Sequence, residues 1–382
     1  MSEYLDHNAT TALDERVLEA MLPYLQTRFG NPSSVHIYGR QVRAAVDHAR
    51  GQIAEAVAVE PGQVVFTSGG TEANNLALHA ATIDGPGHLI VGATEHPSVL
   101  APAEALQAQG WHVDRLPVDA DGHPCTELLA DMVRHDTRLV SVMMANNETG
   151  VITDTAAIRA ALPNGSMARL HTDAVQALGK VEFDFAASGA DLMSLSAHKI
   201  YGPAGIGALI IDKSQEPWPL LYGGGQERGW RSGTENIAAI VGFGKAVELA
   251  IVEGAERQKK LYGLRQHLES RLLEEVAGTI IFGQRQQRLC NTVFFAVPMI
   301  DGEALVMALD QEGFAVASGS ACSSSKHEPS HVLTAMGVDQ NLARCAVRVS
   351  LGNLNDRKAV DRFVDSLKYQ VGKLLNMAVL AW

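Results

Sequence analysis

The chain has 382 residues, more than one hydrophobic core usually serves, which predicts two domains. Hydrophobic residues make up 46% and charged residues 19%, an ordinary globular balance, and a net charge of −12 argues against a nucleic-acid footprint. No apolar run approaches the roughly 18 residues of a membrane helix, and no basic stretch followed by an apolar one marks a secretory signal. The four cysteines, Cys125, Cys290, Cys322 and Cys345, show no C-x-x-C spacing, so neither a structural zinc site nor a disulfide framework is expected and a cytoplasmic location fits best.

Residues 4–11 read as a short extended stretch with polar turn residues, and Asp14 as the cap of a helix with Val17, Leu18, Met21, Leu22 and Leu25 on one face. Turn residues over 29–36, including Asn31, Ser33 and His36, end it, and a helical period returns over 38–59. A strand at 64–67 leads into a glycine turn, 68–75, that opens a helix. Free N–H groups at such a helix start bind phosphate, and the pattern here, neither G-x-G-x-x-G nor Walker A, suits a small phosphate monoester. Thr71 could equally be an N-cap.

Further strands are expected at 88–93, 111–118, 138–144, 168–173, 190–196 and 206–211, with helices between them. That alternation predicts a mostly parallel sheet covered on both faces. Thr71, His96, Asn147, Asp173 and Lys199 all fall at strand ends, on the edge where open α/β sheets place ligands. Lys199 leaves the strand at 190–196 for a Gly/Pro-rich loop. Burial there favours a neutral amine, which can form a Schiff base with an aldehyde cofactor, and Ser196 and His198 can donate to a phosphate. The glycine-rich, charged segment 223–236 is expected to be a surface or interface loop. Two amphipathic helices at 236–254 and 256–276 follow, then short strands at 279–282, 291–297 and 315–317 between helices, a smaller α+β domain. A helix near 361–374 closes the sequence with no longer tail, so docking of a partner through such a tail is not assumed.

Together these residues resemble a fold-type I pyridoxal-phosphate enzyme of the class V aminotransferase family, and more narrowly the cysteine desulfurases of the NifS/IscS type. The resemblance runs from residues 4–11 to 347–352. It rests on Thr67-Ser-Gly-Gly-Thr-Glu72, Glu95-His96, Asn146-Asn-Glu-Thr-Gly150, Thr172-Asp-Ala-Val-Gln176, Ser196-Ala-His-Lys199, Arg231-Ser-Gly-Thr234 and Ser318-Gly-Ser-Ala-Cys322. It implies an α/β fold with a large cofactor-binding domain, 14–256, and a small domain, 1–13 with 257–382, that carries the nucleophile loop.

It further implies that Lys199 holds pyridoxal 5'-phosphate as an aldimine, with Gly70, Thr71, Ser196, Ala197 and His198 around the phosphate and Thr234 reaching it from the other subunit of a homodimer. His96 would stack on the ring and act in catalysis, Asp173 would pair with the ring N–H, and Asn147 and Gln176 would hold its face and phenolic oxygen. Arg348, with Asn147, would bind the substrate carboxylate, since a planar guanidinium fork matches one. Cys322 would be the nucleophile, on a serine-rich segment expected to move because it has little to bury. The implied reaction removes sulfur from L-cysteine, leaving alanine and a persulfide on Cys322 for a transient acceptor such as an iron–sulfur scaffold protein. A selenocysteine lyase or an aminotransferase on the same scaffold is the alternative.

Overall fold

The computed structural model describes residues 2–83, 85–215, 218–319 and 328–380, with side chains to residue 376. In chain order its strands are β1 Glu3–Tyr4, β2 Val64–Thr67, β3 His88–Gly92, β4 His112–Leu116, β5 Thr137–Ser141, β6 Arg169–Asp173, β7 Leu192–Ser196 and β8 Gly207–Ile211. They continue as β9 Ile280–Ile281, β10 Thr292–Ala296, β11 Phe314–Ala315, β12 Ala317–Ser318 and β13 Ala346–Ser350. The helices are α1 Glu15–Gln26, α2 Ile37–Ala56, α3 Gly70–Ala80, α4 Pro97–Ala108, α5 Leu129–Met132, α6 Thr155–Ala161, α7 Ile237–Glu275, α8 Gly302–Gln311, α9 His331–Ala335, α10 Gln340–Arg344 and α11 Arg357–Leu380.

The central sheet has the order β2-β8-β7-β6-β5-β3-β4 and is parallel except for β8, which is antiparallel to both neighbours. β2, β3, β7 and β8 are buried along their whole length, as strands covered on both faces must be. Val17, Ile53, Phe243 and Val247 pack on one face, from α1, α2 and the first part of α7. Leu76, Leu78, Val99 and Leu100, from α3 and α4, pack on the other. A second core gathers around the antiparallel sheet β12-β13-β10-β9, with Leu264, Leu268 and Leu272 of α7 and Phe363 and Leu367 of α11.

One expectation needs correction. The two helices foreseen at 236–254 and 256–276 are one continuous α7, whose first part belongs to the sheet's core and whose second part belongs to the other. Nothing between them, neither Gly254 nor the charged run that follows, removes a backbone donor, so the hydrogen-bond ladder runs on. The segment 223–236 lies largely at the surface, as its composition suggests, with Glu227 and Ser232 the buried exceptions. The Glu227 carboxylate takes two hydrogen bonds from Arg50 at 2.8 and 2.6 Å and one from the Phe66 N–H at 2.9 Å, while Arg228 donates to the Val64 carbonyl. The loop thereby covers the open edge of β2, which would otherwise offer unpaired backbone groups.

His171 lies inside the sheet on β6, its ring nitrogens 2.8 and 3.0 Å from the hydroxyls of Ser141 and Ser194. Burial pushes it down to about 3, while the unfolded chain keeps a value near about 6.5. Burial also lowers His7 and His198, each to about 4. Between those values and 6.5 only the unfolded chain binds the proton, so stability is lost as pH falls through that window. For His171 the loss is up to about 1.4 kcal/mol per pH unit. Urea unfolding between pH 6.5 and 4.5 should show this slope, and His171→Asn should flatten it by about one proton. An unchanged slope in the variant would contradict the account.

Candidate active site

The C-terminal ends of β2, β3, β5, β6 and β7 meet at one edge of the sheet, because those strands run parallel. A cavity of about 460 Å³ opens there. Of the residues singled out from the sequence, Gly70, Thr71, His96, Asn147, Asp173, Gln176, Ser196, His198, Lys199 and Arg348 line it. Ala197 is packed in the core, its N–H donating to the Ile206 carbonyl. Thr234 is exposed and does not line the cavity, and Cys322 lies outside the described residues.

Close backbone approach forms the anion end. Gly69, not Thr71, is the N-cap of α3. A Cβ on Gly207 of β8 would lie 2.6 Å from the Leu195 carbonyl oxygen and 2.7 Å from the Gly69 carbonyl carbon, so only glycine lets β8 pass the turn. A Cβ on Gly70 would meet Val175 at 2.7 Å. The Ser196 hydroxyl is buried beside this helix start with no partner among the described residues. An unpaired buried hydroxyl at a helix N-terminus is a place for a ligand oxygen.

Asp173, at the end of β6, accepts from Asn74 Nδ2 at 2.7 Å and from the Val175 N–H at 2.9 Å. Asn74 also donates to the Ser98 hydroxyl at 2.8 Å, which lies 2.7 Å from His96 Nδ1, and the Ser98 N–H donates to the same nitrogen at 3.1 Å. Nδ1 is therefore an acceptor, which leaves the proton of a neutral ring on Nε2. Burial lowers the His96 value and keeps the ring neutral, Asp173 opposing and Lys199 reinforcing that effect. Beneath it, burial pushes the Glu95 carboxyl well above the usual range. The Met143 N–H, which donates to one of its oxygens, and the Ser141 hydroxyl act against that rise.

Lys199 donates to the carbonyls of Asn8 and Ala9 at 2.5 and 2.7 Å. His198 is 3.2 Å from the Thr10 hydroxyl. Gln176 donates to the Asn8 carbonyl at 2.9 Å and accepts from Lys180 at 2.7 Å. Arg348, on β13, spends one N–H on the Asn147 carbonyl and one on Asp6 at 2.7 Å, while its Nε has no partner among the described residues. Sequence reasoning missed Asp6, Asn8, Asn74 and Ser98. The signal was present for the first two, since a polar run in an extended N-terminal stretch needs partners somewhere.

The class-V aminotransferase family model matches residues 3–363. The chain belongs to that family. It is 43% identical to "Cysteine desulfurase IscS 1" of Archaeoglobus fulgidus, over 99% of each chain. It is similar to a solved NifS-like protein, with a TM-score of 0.91, 36% identity, and 98% of this chain and 100% of that one covered. It is also similar to a structure described as SspA in complex with cysteine, with a TM-score of 0.81, 32% identity, and 92% and 99% covered. The class-V fold is that of the fold-type I enzymes, and the expected α/β architecture stands.

Pyridoxal 5'-phosphate is the family's cofactor, and this class-V cavity suits it. The unpaired Ser196 hydroxyl and the α3 start offer donors for its phosphate, and Asp173 offers a fixed carboxylate for a ring N–H. Gly207→Ala should displace the Gly69 turn and weaken pyridoxal phosphate binding by about tenfold or more, on the scale of one lost charge-assisted hydrogen bond. Gly62→Ala, with nothing within 4 Å, serves as the control. Absorbance titration of the apoprotein measures both, and equal affinities would refute this view of the phosphate end.

Proposed function

We propose that this protein is an L-cysteine desulfurase that uses pyridoxal 5'-phosphate and passes sulfur through Cys322. The observation that carries the reading is the convergence of Lys199, Asp173, His96 and Arg348 on one cavity, with both ends of the segment bearing Cys322 anchored beside it. On one side β12 ends at Ser318, paired with Val347 next to Arg348. On the other, the Ser330 hydroxyl bonds Glu148, and His331 donates to the Glu95 carbonyl at 2.9 Å. The structure described as SspA in complex with cysteine supports the substrate.

The cofactor supplies an aldehyde for an amine and a ring that accepts electrons from the carbon next to the substrate nitrogen. Lys199 is the amine that holds it and then the base that moves the α-proton. Asp173 keeps the ring nitrogen protonated, and the α3 start with Thr71, Ser196 and His198 holds the phosphate, joined by Thr234 of a second subunit. His96 would offer its Nε2–H to the bound group, Asn147 and Gln176 would orient it, and Arg348 would receive the substrate carboxylate with the N–H groups that Asp6 and Asn147 leave over. The Cys322 thiolate takes the substrate sulfur. Cysteine and a thiol become alanine and a persulfide, so atoms and electrons balance without an outside oxidant. Cys125, Cys290 and Cys345 suit the task poorly, because burial raises each thiol above its usual range.

The reading includes a large unit of 14–256 and a small unit of 1–13 with 257–382, a cytoplasmic location and a sulfur acceptor such as an iron–sulfur scaffold protein. Among the described residues no helix is long and apolar enough to cross a membrane. It also includes a homodimer. Leu18, Leu22 and Leu25 of α1 are exposed at helical spacing, followed by exposed Phe29 and Val35, with Phe29 stacked on Tyr38 at 5.4 Å. So large an apolar face calls for a partner, and a second copy suits the shared phosphate site.

Given cysteine without reductant, the wild type should gain one sulfur atom on the peptide carrying Cys322. Cys322→Ala should keep the cofactor and lose alanine production. Sulfur found by mass spectrometry on Cys125, Cys290 or Cys345, or full turnover in the variant, would overturn the assignment and return an aminotransferase to contention. Sedimentation at assay concentration should give a dimer, and a Leu22→Glu/Leu25→Glu double variant should dissociate and lose activity. An active monomer would refute the shared site.

A further inference from the structure

Lys180 lies outside the catalytic cavity and takes no part in the chemistry described above. It follows Gly179, which turns at φ 73° against Ile200 and Ala250, and it lines a small pocket behind Lys199. Its amine turns inward, 2.7 Å from Gln176 Oε1 and 3.3 Å from Asn8 Oδ1. An ammonium only donates and a carbonyl only accepts. Lys180 in its charged form on one side and the Asn8 carbonyl on the other therefore fix the Gln176 amide one way round, with Oε1 toward Lys180 and Nε2 toward Asn8. The same Asn8 carbonyl receives the amine of Lys199. One residue behind the site thus bears on both an amide that lines the cavity and the amine that holds the cofactor.

We propose that Lys180 is a positioning residue: it locks the Gln176 amide so that an N–H faces the bound cofactor, and it sets a second positive charge behind Lys199. This rests on the reading of the preceding section. Burial brings Lys180 down to about 7, with the charges of Lys199 and Arg348 acting the same way and Cys290 opposing them. His7 and His198 also feel its charge, Arg257 faces the pocket behind Lys199, and Glu182 and Glu269 line the open groove on its outer side. Like charges disfavour each other, and a donor aimed at the cofactor's ring oxygen favours its ionised form. Both effects lower the pH at which the lysine–cofactor linkage titrates.

The test is a spectral pH titration of the holoenzyme, with borohydride trapping on Lys199 establishing the linkage first. Lys180→Met should move the absorbance transition of the bound cofactor upward by about one pH unit or more, while Lys180→Arg, which keeps charge and donors, should restore it. Competitive acetylation of wild-type apoprotein across pH gives a second readout that needs no variant to fold, and Lys180 should titrate near neutrality rather than near about 10.4. If the wild type traps no cofactor on Lys199, the reading of the site and this inference fall together. If trapping succeeds but Lys180→Met titrates like wild type, or Lys180 acetylates with an ordinary lysine profile, this inference alone is overturned.

Discussion

The site depends on one buried asparagine. Asn8 is 1% exposed, and its polar atoms tie the two cores together. Its N–H donates to the Ser350 hydroxyl and its side-chain amide to Thr292 Oγ1 and the Asn147 carbonyl, while Asn291 and Lys180 donate to its Oδ1. Its carbonyl collects Lys199 and Gln176. A fully satisfied buried network of this kind allows one arrangement of its members, because each alternative leaves a buried group unpaired. The short N-terminal stretch therefore sets where Lys199 stands relative to Arg348, which comes from a different sheet.

Burial sets the charge states around that network. His96, His171 and His198 are held neutral by loss of solvent. Glu95 and Glu148 are buried carboxyls raised by the same effect, although His331 and the Ser330 hydroxyl act against it at Glu148. Arg50 and Glu227 survive burial as an ion pair because the pair also satisfies the Phe66 N–H and the Val64 carbonyl. Of these groups His96 and His198 line the cavity itself, and their neutral state is set by burial before a ligand arrives.

The layered architecture was legible in the sequence because its signal is local. Apolar runs such as Val64–Thr67 and Gly207–Ile211 read as buried strands wherever they sit, and Asp14 caps α1 through its own side chain. The convergence of Thr71, His96, Asn147, Asp173 and Lys199 followed from strand ends in a parallel sheet, a rule of topology rather than of contacts. The joined helices of α7 and the docking of Glu227 on the edge of β2 were not legible, since both are decided by what packs against them.

By itself, then, the sequence determined the fold class, the family and most of the residues that line the cavity, because residue type and spacing carry those. Only the tertiary structure decided which polar groups are already engaged. It put Arg348 on Asp6, Asn74 between Asp173 and Ser98, and Lys180 behind Gln176. Those pairings join segments far apart in the chain. Hydrogen bonds and buried charges depend on distances of a few ångströms that no local pattern encodes, and the closed core alone fixes them.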